Sequence, residues 1–298
     1  MIKEAGLIHH PIKGIVFAIL AFFSFAVMNM FAKLLGDSYH PIELTFWRNV
    51  IGTLLIGGFI VYTAQFHLFK AKNPIAVGAR SVFGTISLVF TLATFIVLPM
   101  ADATAFVFTS VLFVPILAFL FLHEKVGHFR IFAILIGFIG IVIMVNPTGN
   151  VNTLGVFLGL STAMLHAILQ VILRHIGKSD LPLTTIFYFV AGGMILTAPL
   201  MPFFGKMPNL VDLPFLLGLA IAGTAGQVFI TNALRFAETS TVSIFNYSGI
   251  IWATAFGWFI WGDWPALTIW IGGSIVIACN IFIVWREARL RKQEKALL

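Results

Sequence analysis

Long apolar runs separated by short polar breaks dominate the chain. Ten runs stand out, at roughly 14–34, 43–63, 74–97, 101–121, 129–146, 154–174, 183–204, 213–236, 240–261 and 266–285. The breaks carry turn residues: Gly36-Asp37-Ser38, Asn146-Pro147-Thr148-Gly149-Asn150 and Gly262-Asp263-Trp264-Pro265. A run of about 20 apolar residues crosses the hydrocarbon core as a helix. Strands of an outer-membrane barrel would be about ten residues long and alternate in polarity. These runs are longer and apolar all round, so the pattern predicts helices, the only single segments that satisfy their own backbone in lipid. The first run, GIVFAILAFFSFAVMNMFAKLL at 14–35, is longer than a usual signal core and no small-x-small site follows it. It reads as a permanent first span.

Composition supports the same class. Of 298 residues, 60% are hydrophobic and 10% charged; a soluble domain is about 45–50% apolar and about 25% charged. A soluble globule, a disordered chain and, with Cys279 as the single cysteine, a disulfide scaffold are all excluded. The net charge of +7 does not point to nucleic acid, because the cations sit at span ends. With the N-terminus in the cytoplasm and ten spans, fifteen Lys and Arg fall inside and three, Lys33, Arg48 and Lys206, outside. Both termini are therefore expected in the cytoplasm. The basic tail, residues 286–298, suits anionic headgroups.

The chain also repeats itself. With an offset of 141, Gly14 meets Gly155, Ala26 meets Ala167, Asn29 meets Gln170, Lys33 meets Arg174 and Pro41 meets Pro182. Later in the repeat the offset is 139: Thr104 meets Ser243, Glu124 meets Asp263 and Val145 meets Val284. Five spans is an odd number, so the second copy enters the membrane upside down. Inverted repeats are typical of transporters with a midplane site. The expected fold is all-α, ten transmembrane helices as two inverted five-helix repeats (12–147 and 153–285) around a central cavity.

Each half ends alike: LPMADATAFVFTSVLFVPILAFLFLHEKVG at 98–127 followed by FAILIGFIGIVIMVNP, and FAETSTVSIFNYSGIIWATAFGWFIWGDWP at 236–265 followed by IGGSIVIACNIFIV. With AKLLGDSYHPIELTFWRN at 32–49, this resembles the ten-helix branch of the drug/metabolite transporter superfamily, the tandem EamA-domain proteins. The resemblance covers residues 12–285. The second half departs from the pattern, with Thr254 where the first has Pro115 and Asp263 where it has Glu124. The resemblance implies a bacterial inner-membrane carrier of small organic solutes, exported or imported according to the member.

Polar residues inside spans are the candidate site, since they are costly in hydrocarbon. Thr162, His166, Gln170 and Arg174 recur every four residues and form one slanted stripe. The stripe is read as cavity-facing, against the alternative of interhelical hydrogen bonding. The first span echoes it with Asn29 and Lys33. His166, the one histidine deep in a span, is the candidate for proton coupling. Glu43, Asp102, Glu124, Glu238 and Asp263 all fall at span ends, so a carboxylate relay is not expected. Gln227, Asn232, Asn246 and Tyr247 are candidate solute contacts. Arg48 reads as a cationic lip for anionic or zwitterionic solutes, with snorkelling to headgroups as the alternative. Trp47 and Tyr188, near-counterparts in the repeat, are candidate paired aromatics.

No HExxH, GxSxG or P-loop occurs, and the histidines form no helix-spaced metal set. An intramembrane enzyme and a multi-subunit pore are the alternatives set aside. The expectation is a secondary-type carrier of an amino acid-like or other polar or amphipathic metabolite, working by alternating access, without metal or cofactor. Its expected partners are the solute, the bilayer and, through His166, protons. A monomer or weak homodimer is expected.

Overall fold

A computed structural model describes residues 10–122, 128–145, 152–176, 181–237, 242 and 245–296. Glu124, Glu238 and Ser243, and the side chain of Arg174, lie outside the described part. The described residues are helical, without strands. The helices are α1 (Pro11–Leu35), α2 (Pro41–Tyr62), α3 (Pro74–Val97), α4 (Met100–Phe108), α5 (Ser110–Leu122), α6 (His128–Val145), α7 (Thr153–Ile176), α8 (Pro182–Thr197), α9 (Met201–Phe204), α10 (Leu213–Phe236), α11 (Ser248–Phe256) and α12 (Leu267–Ala296). Seven segments are long and apolar enough to cross a membrane, and three shorter apolar helices lie at 131–145, 248–261 and 267–283.

Local chemistry sets the helix starts. Proline begins α1, α2, α3 and α8, where its missing N–H costs nothing. The Asn73 side chain accepts the Ala76 N–H at 3.1 Å, and Asn152 accepts that of Gly155 at 2.9 Å. Within the spans, hydroxyls return to the carbonyl one turn back, as in Thr45 to Pro41, Thr85 to Ser81 and Thr197 to Gly193. Hydroxyls thereby enter hydrocarbon without an orphaned donor.

The outer surface is more apolar than that of a soluble protein, and several polar side chains are buried among the apolar core. Leu54, Val142, Ile195, Ile251 and Phe259 point outward, while Glu43, Arg48, Asn49, Thr94, Thr162 and Asn280 are buried. Lipid supplies a reason for that outer surface; water does not.

Two elements differ from the run pattern. The fourth run is two helices that break at Thr109. The Leu112 N–H goes to Thr109 instead of Phe108, and Pro115, which has no N–H to give, follows one turn on. The last helix does not stop at the apolar boundary but continues through the basic tail, where the Arg286 guanidinium lies 3.9 Å from the Phe129 ring centre.

Most large interfaces join the first half to the second. Helix α1 packs on α10 and α3 on α7; α2 packs on α8 and α6 on α12. Further pairs are α1 with α11, α4 and α5 with α7, α2 with α10, α3 with α8, and α4 with α11. Exchange α1 with α7, α2 with α8, α3 with α10, α4–α5 with α11, and α6 with α12. Each of these pairings then maps onto another in the set or onto itself. Chain ends sort consistently: the His10 N–H reaches the Phe236 carbonyl at one face, and Lys33 reaches the Leu98 carbonyl at the other.

Candidate functional site

Among the described residues Arg48 is the largest side chain that the fold buries completely, at 1% exposure. It stands on α2 between α8 and α10. One of its terminal nitrogens donates to Asn49 Oδ1 at 2.8 Å and the other to the Gly223 carbonyl at 3.2 Å. Its guanidinium carbon lies 5.2 Å from the Phe189 ring centre, and Nε is buried without a partner. Small residues make room. A Cβ on Gly223 would meet Arg48 Nε at 2.9 Å and Met28 Sδ at 2.7 Å; one on Gly193 would run into the Asn49 amide. Asn29, next to Met28 on α1, is buried with Oδ1 unpartnered. Trp47, the residue before Arg48 on α2, packs against the apolar cluster that contains Met28, and its indole N–H is also unpartnered. Gln227 lies one turn beyond Gly223 on α10 and is half-buried. Met28, Arg48 and Gly223 thus meet where α1, α2 and α10 come together, with Asn29, Trp47 and Gln227 on those same three helices.

A second polar seam joins α3 to α7. The Thr94 and Thr162 hydroxyls are 2.9 Å apart, and Thr91 Oγ1 lies 3.3 Å from His166 Nε2. Two members of the predicted stripe are thus engaged by α3, while Gln170 is exposed.

The third cluster surrounds the break in the fourth run. The carbonyl released at Phe108 accepts from Asn280 Nδ2 at 3.1 Å, and the Tyr247 ring meets Phe108 edge-on at 5.3 Å. Asn280 is fully buried, with Oδ1 unpartnered. Asn246 is half-buried one residue before Tyr247. Sequence reasoning passed over Asn280 because an isolated amide in a terminal span carries no periodic signal.

Two predicted residues are placed elsewhere. The Tyr188 hydroxyl donates to the Phe69 carbonyl at 2.8 Å, tying α8 to the short helical turn Phe66–Phe69 after α2. Its ring meets Phe187, Trp47 meets Phe46, and no ring contact joins Tyr188 to Trp47. Repeat counterparts are related by an axis and need not touch. Asn232 donates to the Val228 carbonyl of its own helix at 2.9 Å.

Charge collects at the face bearing Lys33. Its ammonium donates to the Leu98 carbonyl at 2.8 Å and lies 5.4 Å from the Trp261 ring centre. Asp102 and Asp263 act on it electrostatically, and one oxygen of Asp102 is buried without a partner. These three residues are far apart in sequence, and the fold alone unites them. Nearby, burial raises the Tyr39 hydroxyl above its ordinary range; it donates to Asp212 at 2.9 Å and accepts the Asn209 N–H at 3.0 Å. Among the described residues no cluster of His, Cys, Asp and Glu could hold a metal.

Comparison with known proteins supplies a family. The model of the EamA-like transporter family matches residues 12–146 and again 153–285. The pseudopaline exporter CntI of Pseudomonas aeruginosa is 31% identical over 271 residues, covering 90% of this chain and 94% of that protein. Human solute carrier family 35 member G1 is 26% identical, covering 91% and 78%. The S-adenosylmethionine uptake transporter of Rickettsia prowazekii is 24% identical, covering 93% and 94%. A solved crystal structure superposes with a TM-score of 0.59 at 15% identity, covering 91% of this chain and 98% of that one, a likeness of fold.

Proposed function

We propose, on the premise that the chain belongs to the EamA-like transporter family, that this multi-pass membrane protein moves a small organic metabolite by alternating access across a bacterial inner membrane. Ten spans form two inverted repeats, with both termini in the cytoplasm. One observation carries the reading: the main helix pairings survive exchange of the two halves, and the buried polar groups lie at the seams between those halves. Two inverted blocks can exchange shapes, so inward-open and outward-open forms have similar energies. The solute site is assigned to the α1–α2–α10 junction, with Asn29, Trp47, Arg48 and Gln227, bordered by His166 and by Asn246 and Tyr247.

A buried cation with amide and aromatic neighbours suits amino acids, carboxylates and similar solutes. Organic cations call for a carboxylate at the site itself; the buried acid nearest in sequence, Glu43, stands at the start of α2 and accepts the Lys206 N–H there. Relatives named as an exporter and as an uptake transporter both align with nine-tenths of this chain, so the likeness is compatible with either direction. Counterflow in proteoliposomes tests the mechanism. A carrier saturates and is accelerated by solute on the far side; flux that is linear and indifferent to the far side assigns a pore instead.

A further inference from the structure

Arg48 and Arg80 bring two guanidinium groups to one aromatic ring. Their Cζ atoms lie 5.2 and 5.8 Å from the centre of the Phe189 ring. The ring is seated by a glycine: a Cβ on Gly84 would meet Phe189 Cε2 at 2.7 Å. Both Nε atoms are buried without hydrogen-bond partners. Among the described residues, no carboxylate acts on either cation. Glu43, the buried acid on the helix of Arg48, accepts the Lys206 N–H at 2.9 Å.

A guanidinium out of water without a counter-ion is strongly disfavoured. The ring face offsets part of that cost, and for Arg48 so do Asn49 and the Gly223 carbonyl. All three are neutral, so the charge itself stays uncompensated. Two such cations at one ring lack two anionic groups, and the planar fork of each matches a carboxylate. The cations also differ in access. Arg48 is fully buried and Arg80 half-buried, and they enter from opposite ends of the antiparallel helices α2 and α3, each about 10 Å from its helix start.

We propose that Arg48, Phe189 and Arg80 form a two-point anion site, and that the solute carries two carboxylate groups. This rests on the transport reading and deepens it. An incoming dicarboxylate meets Arg80 first and reaches Arg48 as the helices around Phe189 rearrange. The Phe189 ring lies against the hydrocarbon between the two acid groups.

The test uses the purified full-length protein. Succinate and glutarate are compared with butyrate and with succinamate in protecting against thermal unfolding and in driving counterflow of labelled succinate. The expected result is a preference of tenfold or more for the dicarboxylates. Arg80→Gln is expected to abolish that preference while keeping the response to butyrate. Arg48→Gln is expected to weaken both, and Arg80→Lys to restore part of the preference. Equal responses to dicarboxylates and monocarboxylates in the wild type would overturn the site, as would a preference that survives Arg80→Gln. Counterflow of a labelled metabolite pool, run in parallel, separates the two readings. Exchange of other solutes without a dicarboxylate preference removes the site and leaves the carrier. Arg80-dependent protection by succinate without any exchange supports the site and removes the carrier.

Discussion

Polar side chains inside the spans are held by the groups their polar atoms meet. Thr94 and Thr162 end on each other. Thr94→Val deletes one hydroxyl and is expected to cost about 1 kcal/mol, as interhelical bonds in membranes typically do. Melting in detergent measures it, and transport should stay near normal. His166, proposed to border the solute site and 3.3 Å from Thr91, is expected to behave oppositely. His166→Ala should lower transport at unchanged membrane expression; wild-type flux would return it to packing. His40 gives a pH signature outside the spans. Its Nδ1 accepts the Ile42 N–H at 3.3 Å, a bond that requires a free lone pair. Partial burial lowers its affinity for protons, against a smaller opposing pull from Glu43. A proton then binds the unfolded chain better than the folded one. The cap is intact above the ordinary histidine range and its contribution fades as pH falls below about 6.5. The exposed site makes the effect small. His40→Asn keeps a capping acceptor and should flatten the slope of melting temperature between pH 5.5 and 7.5.

Helix pairs depend on close approach, which glycine permits. On the α6–α12 pair, a Cβ at Gly272 would strike the Gly140 carbonyl, which is backbone and cannot swing aside. Gly272→Ala is expected to lower thermal stability by several degrees and reduce yield. Gly58→Ala, which meets nothing within 4 Å, should be neutral. The broken fourth run makes a second element-scale case. Asn280→Leu removes the partner of the Phe108 carbonyl and leaves it unpaired in the interior, at about 1–3 kcal/mol. Detergent melting reads that loss, and an unchanged melting point would show that another donor takes the carbonyl.

At the scale of the molecule, the proposed topology sets each helix five spans, an odd displacement, from its repeat counterpart, so the two run in opposite directions. Cysteines placed near residue 10 and beyond residue 285, in a Cys279→Ala background, should react with an impermeant thiol reagent only from the cytoplasmic side. Cys279 is buried and its removal is small in volume. Termini labelled from opposite sides would break the proposed topology and the twofold relation with it.

Much of this was legible along the chain, for reasons tied to particular residues. Helices α3 and α10 begin and end where the run pattern places them, at 74–97 and 213–236, because proline marks their starts and lipid demands an unbroken apolar length. Polar interruptions such as Arg48 and His166 were visible as exceptions to that length. Membership in a repeat was readable from offsets such as Lys33 with Arg174 and Glu124 with Asp263. Partner choice was not readable. Gathering Lys33, Asp102 and Asp263, pairing Asn280 with Phe108, and placing Arg48 and Arg80 on one ring all depend on contacts between distant segments. Periodicity records which face of a helix is apolar and is silent on which neighbour that face meets. Hydrocarbon determined what each segment is; close packing of the two halves, set by glycines and buried amides, decided which segments share a site.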